Sequence, residues 1–339
     1  MQALRLTQPG QFELVEAEQP PPPGPGEVKV RVHRIGVCGT DLHAYQGKQT
    51  FFTYPRVLGH ELGVEVMETG AGVSALRAGD LCTVEPFLNC GECTPCRMGK
   101  TNCCRHMRTL GVHTDGGMTE AIVVPAAKLH RSTVLTIEQL AVVEPLCIGA
   151  HAFARPSLNR SDTVLVIGGG PIGLAVVEAA RAHGLEPLLM EMSRSRLQFA
   201  QQIGLRTIDA SREAGEQIRA ALNGDLPRCV FDCTGSPRSM NASFDLVDHG
   251  GKLVFVGHYP GEITFQNPTF HAREITLYAS RNATAQDFVQ VMALLESGRI
   301  RVEPWLAAPV PPGEVAGLFP TWLDPENGVI KPMITWDSQ

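Results

Sequence analysis

The chain has 339 residues, 43% hydrophobic and 19% charged, with a formal net charge of -6. That length exceeds one ordinary domain and suits two, each with its own core. The charge is mild and mixed and no run approaches the roughly 20 apolar residues of a membrane span, so neither a nucleic-acid nor a membrane partner is expected.

Met1–Glu16 lacks a basic stretch followed by an apolar run, so no secretion signal and a cytoplasmic location are expected. In that compartment the ten cysteines are thiols available for metal or catalysis rather than disulfides. Pro20 to Pro23, with Gly24, Pro25 and Gly26, forms a stiff connector that excludes helix. Glu27–Val32 then alternates polar and apolar, as a half-buried strand does. Val64–Met67 and Leu81–Val84 are further strands, with Gly70, Gly72, Gly79 and Asp80 marking turns. Residues 1 to 150 therefore read as a β domain with a long inserted loop near 86 to 110.

Two groups in this region have ligand chemistry. Cys38-Gly39-Thr40-Asp41 follows the first long strand, and Gly59-His60-Glu61 comes about twenty residues later. Cys38, His60 and a carboxylate make a three-ligand zinc site with one open position, which a Lewis acid needs. Taken singly, each also has an ordinary explanation: a small core thiol, a structural imidazole, or a glutamate that only orients His60. The second group is Cys90, Cys93, Cys96 and Cys104, four of the ten cysteines within fifteen residues. Four thiolates wrapped by a loop with Gly91 and Gly99 suit a closed, structural zinc site. Cys103 is a rival ligand, and disulfides or an iron–sulfur cluster are the alternatives.

Ile137–Phe153 has helical spacing. Asp162–Ile167 is a continuous apolar run of the kind found in a buried parallel strand. Gly168-Gly169-Gly170-Pro171-Ile172-Gly173 follows, fitting G-x-G-x-x-G between a strand and the helix-like Ile172–His183. Its glycines permit a tight turn and close approach to a pyrophosphate at a helix N-terminus. Leu188–Met190 is the next strand, and Glu191 ends it, 18 residues after Gly173. A carboxylate there accepts the ribose hydroxyls of NAD and repels the 2′-phosphate of NADP. Arg194 and Arg196, nearby, are the groups that favour a phosphate. Helix Arg194–Ile203, strands Val230–Asp232 and Lys252–Val256, strand Glu274–Ala279 and helix Ala285–Ser297 complete an alternation that argues a doubly wound α/β domain.

Cys38-Gly39-Thr40-Asp41-Leu42-His43, Gly59-His60-Glu61, the four-cysteine loop, Glu144-Pro145 and the Gly168–Gly173 turn occur in an order and spacing that resemble the zinc-containing medium-chain dehydrogenase/reductase family. The resemblance covers essentially the whole chain. It implies an α/β plus β fold: a GroES-like catalytic domain (1–150, returning at 282–339) and a Rossmann coenzyme domain (151–281) with a doubly wound parallel sheet. It implies two zinc ions per chain, one catalytic and one structural. Cys38 and His60 resemble the catalytic ligands, with Glu61 or Glu144 as the third, while Thr40 and His43 match a proton relay. The coenzyme would lie on Gly168, Gly170, Pro171, Ile172, Gly173, Glu191 and Arg196, with NAD preferred to NADP.

Three departures stand out. Gly63 is one place earlier than the family's usual glycine, with Val64 in its slot. Cys82 replaces a common valine, and Met118 a common aromatic. Glu144 resembles the polyol and sugar-dehydrogenase side of the family. The Lys48–His60 stretch and Ser280-Arg281-Asn282 resemble a bacterial subgroup of sugar-acid (galactonate- and gulonate-type) 5-dehydrogenases. Arg281 is a candidate partner for a substrate carboxylate, alongside a structural ion pair or a coenzyme contact. The implied function is transfer of hydride from a secondary alcohol of a small polyol, sugar or sugar acid to NAD, giving a ketone. A threonine-type or simple secondary-alcohol dehydrogenase is the alternative within the fold. A catalytically silent NAD-binding regulator or redox sensor is the alternative outside it. Relatives of this kind are homodimers or homotetramers, and Glu274–Ala279 is a candidate strand for pairing across a dimer.

Overall fold

A computed structural model describes residues 1–49 and 52–337. Thr50 and Phe51, within the Lys48–His60 stretch, lie outside the described residues. Among those described, no helix is long and apolar enough to cross a membrane.

The first unit is built on β1 (Gln2–Gln8), β2 (Gln11–Glu16), β3 (Glu27–Gly36), helix α1 (Gly39–Tyr45), β4 (Arg56–Val57), β5 (Glu61–Thr69) and β6 (Leu81–Val84). The inserted loop carries β7 (Phe87–Leu88), the short helix α2 (Thr94–Arg97) and β8 (Arg108–Thr109). β9 (Ala121–Pro125) and β10 (Leu129–Ser132) follow. The main sheet runs β10-β6-β5-β3 and ends on the chain's last strand, Met333–Thr335; β9 also pairs with β3. The alternation in β3 is realised in full: Val28, Val30 and Val32 are buried while Arg31 between them is exposed. β5 begins at Glu61, earlier than expected, so His60 stands at the mouth of a core strand.

The expected helix Ile137–Phe153 is two helices, α3 (Ile137–Ala141) and α4 (Val143–Ala154). Pro145 accounts for the break. Its ring opposes the carbonyl four residues back, so it is tolerated only in a first turn, and α4 restarts just before it. A Thr136/Gln139 capping box starts α3. The early glycine is explained here too. A Cβ on Gly63 would lie 2.3 Å from the Ile137 carbonyl oxygen, so β5 approaches α3 too closely for any side chain at that position.

The second unit has β11 (Val164–Ile167), α5 (Pro171–Ala182), β12 (Leu188–Glu191), α6 (Arg194–Gln202), β13 (Arg206–Asp209), β14 (Cys229–Asp232), β15 (Lys252–Phe255) and β16 (Thr276–Ala279). Its six strands are parallel, in the order β13-β12-β11-β14-β15-β16. In chain order that is 3-2-1-4-5-6, the dinucleotide-binding arrangement whose reversal beside the first strand opens a crevice at the carboxyl ends. β11 is buried at every residue, as a central strand covered on both faces must be. α4 packs on α5, with Gly149 so close that a Cβ would meet Ala175 at 2.4 Å. The fold class is thus the α/β plus β architecture expected.

Candidate active site

α1 is the platform of the first site. Cys38 caps its N-terminus, and the Cys38 amide donates to Asp41 Oδ2 at 2.9 Å, which ties the turn together. Thr40 and His43 follow three residues apart on one face of α1. Gly59, with φ 95°, delivers His60 toward this turn at the start of β5. Ligand atoms of Cys38, His60 and Glu61 all lie within 4.8 Å of one another. Glu144 is not one of that group, although it is buried and its charge acts on His60 and Glu61.

The electrostatics of this pocket favour a cation. Burial alone would lower the His60 pKa, but Cys38, Asp41 and Glu144 outweigh it and hold it well above the ordinary imidazole value. Burial likewise raises the Glu144 carboxyl and the Asp41 carboxyl. Two polar atoms here, His60 Nδ1 and Asp41 Oδ1, are buried without a hydrogen-bond partner among the described residues, and they stand 3.9 Å apart. Buried polar groups normally have partners. A hydrogen bond across that gap would fix the His60 ring, the way carboxylates orient metal-bound histidines. A thiol, an imidazole and carboxylates sharing one buried cluster are a borderline-soft donor set that fits zinc.

Lys331 is the group that sequence reasoning missed. Its ammonium donates to both oxygens of Glu61, at 2.8 and 2.7 Å, and to the Val37 carbonyl at 3.1 Å. Both side chains of the pair are 1% exposed. Burial opposes its charge, but Glu61 and Cys38 prevail and its pKa is raised. Space for the pair comes from Gly36, where a Cβ would fall 2.1 Å from Glu61 Oε2. The available signal was a lone cation in the apolar run Val329–Ile334. Asp41, whose carboxylate faces His60 across 3.9 Å, is the second such group.

The four-cysteine loop closes on itself. Cys90, Cys93, Cys96 and Cys104 place their sulfurs within 4.8 Å of one another, and all ten cysteines are free. Backbone amides point at the sulfurs: Cys90 and His106 donate to Cys104 Sγ, each at 3.3 Å, and Cys93 donates to Cys90 Sγ at 3.4 Å. Amides aimed at sulfur favour thiolate, the ligand form of cysteine. Cys103 is exposed and outside the group. In the same loop, the buried Asn102 amide contacts His151 Nε2 at 3.1 Å and donates to the Arg281 carbonyl at 2.9 Å. His151 in turn meets Asp287 at 3.0 Å. The loop thus fixes the peptide of Arg281. The Arg281 and Arg56 charges both act on His113, whose pKa is lowered by burial and then by those two cations.

The glycine turn forms the third site. Gly168 follows β11 with φ 99°, Gly170 caps α5, and Pro171 opens that helix. A Cβ on Gly173 would be 1.8 Å from the Gly168 carbonyl, so only glycine lets α5 begin this close to β11. Ile172 follows in the first turn of α5. Glu191 ends β12 and accepts from the amides of Gly169 and Met192, each at 2.6 Å, and of Ser193 at 2.9 Å. Arg196 Nη1 lies 3.8 Å from Glu191 and extends over Gly170.

The chain is similar to known proteins along most of its length. Residues 24–134 match the model of the alcohol dehydrogenase GroES-like domain, and residues 171–297 that of the zinc-binding dehydrogenases. The chain is 37% identical to the L-galactonate-5-dehydrogenase of Escherichia coli K12, over 93% of this chain and 94% of that protein. A solved alcohol dehydrogenase of E. coli CFT073 complexed with NADH superposes with a TM-score of 0.92 at 29% identity, covering 99% of both chains. A solved zinc-binding dehydrogenase of Sinorhizobium meliloti 1021 bound to NADP gives 0.90 at 27% identity, covering 98% of both.

Proposed function

The chain belongs to the zinc-type medium-chain alcohol dehydrogenase family, and on that premise we propose that it oxidises a secondary alcohol of a sugar acid or polyol to a ketone, with NAD as coenzyme. The observation that carries the proposal is the buried group of Cys38, His60 and Glu61 beside the helix that bears Thr40 and His43. Cys38, His60 and Glu61 hold the catalytic zinc in this reading, with Glu144 as the acid beside it. Cys90, Cys93, Cys96 and Cys104 hold the structural zinc. When bound, the catalytic zinc supplies Lewis acidity to the substrate hydroxyl, and NAD supplies the hydride acceptor.

The chain's own residues do the rest. Asp41 orients His60, and Lys331 balances the buried charge of Glu61. Gly168, Gly170, Pro171, Ile172 and Gly173 present the turn and helix N-terminus to the pyrophosphate. Glu191 accepts the ribose hydroxyls, with Arg196 above the turn. Thr40 takes the alcohol proton and His43 passes it to solvent. Partial desolvation lowers the His43 pKa, and the neighbouring Lys48 and His258 act in the same direction. Its accepting, neutral form therefore prevails at neutral pH. The acid limb of the kcat–pH profile should fall below the ordinary histidine value of about 6.5, and His43→Gln should remove that limb while costing about a hundredfold in kcat. An unchanged profile would exclude His43 from the relay.

The substrate class follows from charge. Arg281 is exposed, with its carbonyl held by Asn102, and its charge and that of Arg56 both act on His113, so an acidic substrate finds cations here that a neutral polyol does not use. The division of the chain is 1–150 and 282–339 for the catalytic domain and 151–281 for the coenzyme domain. β16, at the sheet edge and paired among the described residues only with β15, is the strand through which two copies associate as a dimer or within a tetramer. The thiolate loop suits a reducing, cytoplasmic compartment. The test is NADH formation across sugar acids, neutral polyols, threonine and simple secondary alcohols. Turnover strongest on a sugar acid or polyol supports the proposal. Turnover confined to threonine or simple alcohols keeps the chemistry and overturns the substrate class. No turnover with NADH demonstrably bound favours a silent regulator.

A further inference from the structure

Four consecutive amides follow the end of β12, and two carboxylates occupy all of them. Glu191 accepts from Met192 and Ser193, at 2.6 and 2.9 Å. Glu326 accepts from the next two, Arg194 at 3.1 Å and Ser195 at 3.4 Å, which are the first amides of α6. Glu326 comes from the other unit of the molecule. It sits in the turn Pro325–Asn327, on the segment that leads back to the first sheet through Met333–Thr335. That turn is anchored on α6: Ser195 Oγ donates to the Glu326 carbonyl at 2.8 Å, and Ser193 Oγ to the Pro325 carbonyl at 3.4 Å.

The position matters because of what lies beside it. A dinucleotide on the Gly168–Gly173 turn brings its adenosine ribose to Glu191. A 2′-phosphate on that ribose projects over the amides after Glu191, where a helix N-terminus and its free N–H groups ordinarily receive an anion. Here those amides are spent. Of the two nearby arginines, Arg196 is drawn away from that position, toward Glu191 and Gly170.

We infer that Glu326, reaching across from the catalytic unit, is a coenzyme-selecting residue that excludes NADP by filling the phosphate position beside Glu191 with a second carboxylate. The inference rests on the dinucleotide reading above. Hydrogen bonds from Ser193 and from the amides of Ser195 and Arg194 hold the Glu326 carboxyl below its usual pKa, so it is anionic at neutral pH. Selection of this kind needs both units in place, which makes the preference a property of the assembled molecule rather than of the glycine turn alone.

The test is direct binding of NADH and NADPH to the full-length chain, read by the fluorescence of the reduced nicotinamide, for the wild type, Glu326→Gln and Ser195→Ala. Glu326→Gln removes the charge and keeps an acceptor oxygen. Its Kd ratio, NADPH over NADH, should fall by about tenfold, and the fall should shrink in high salt because the site is exposed. Ser195→Ala removes the hydroxyl's bonds to the Glu326 carbonyl and carboxylate but keeps the charge, so its ratio should stay much nearer the wild-type value than that of Glu326→Gln. Equal weakening of both coenzymes in Glu326→Gln would reduce Glu326 to a structural cap and overturn the inference. An unchanged ratio in Glu326→Gln would also overturn it. A wild type that binds neither coenzyme would instead overturn the dinucleotide reading on which it rests.

Discussion

Replacing Cys38 or His60 with alanine will lower turnover by about a thousandfold or more, while NADH binding is retained. The size follows from the role. A Lewis acid contributes several kcal/mol of transition-state stabilisation, and each 1.36 kcal/mol is tenfold in rate. The retention follows from the architecture. Cys38 lies before α1 and His60 at the start of β5, both in the first unit, whereas the glycine turn and Glu191 belong to the parallel sheet of the second. The measurement is kcat beside the NADH dissociation constant for each variant. Loss of both together would point to misfolding, and retention of full turnover would refute the metal reading.

Lys331→Met will destabilise the zinc-free protein by roughly 3–5 kcal/mol, because it strands the Glu61 carboxylate without a partner in the interior. Both side chains are 1% exposed, so water cannot take over the lost contact. The double variant Lys331→Met/Glu61→Gln removes both charges and should recover much of that loss. The two variants share one pocket and are therefore expected to be strongly non-additive. Urea unfolding in the presence of a chelator measures this. Additive losses in the double variant would mean that the Lys331–Glu61 pair contributes little of its own.

What the sequence revealed follows the range over which each site is assembled. The Cys90–Cys104 loop and the Gly168–Gly173 turn are local, and their spacing alone specified chemistry that the folded geometry accommodates. Cys38, His60 and Glu144 are far apart in sequence and individually ordinary. Only their joint order and spacing, read as a family resemblance, marked them out. The break between α3 and α4 was written in Pro145 but masked by a helical pattern that continues through it. Gly63 looked like a misplaced glycine until the Ile137 carbonyl was seen against it. Lys331 and Glu326 were illegible for a different reason. Each meets its partner across more than a hundred residues, Lys331 with Glu61 and Glu326 with Arg194, through packing that no local pattern encodes. Sequence alone leaves Glu61 and Glu144 as alternatives for the third ligand. The geometry separates them, grouping Glu61 with Cys38 and His60 and leaving Glu144 outside.

The central claim is that this chain transfers hydride from an alcohol by using the cluster of Cys38, His60 and Glu61 as a zinc site. The most direct measurement is NADH formation from the best sugar acid or polyol before chelation, after removal of zinc, and after stepwise zinc return, with bound metal counted at each step. The account predicts that turnover vanishes on removal and returns with the zinc that Cys38→Ala cannot bind, while the zinc held by the four-cysteine loop is still present in that variant. Full turnover by protein with no metal at this site would contradict it.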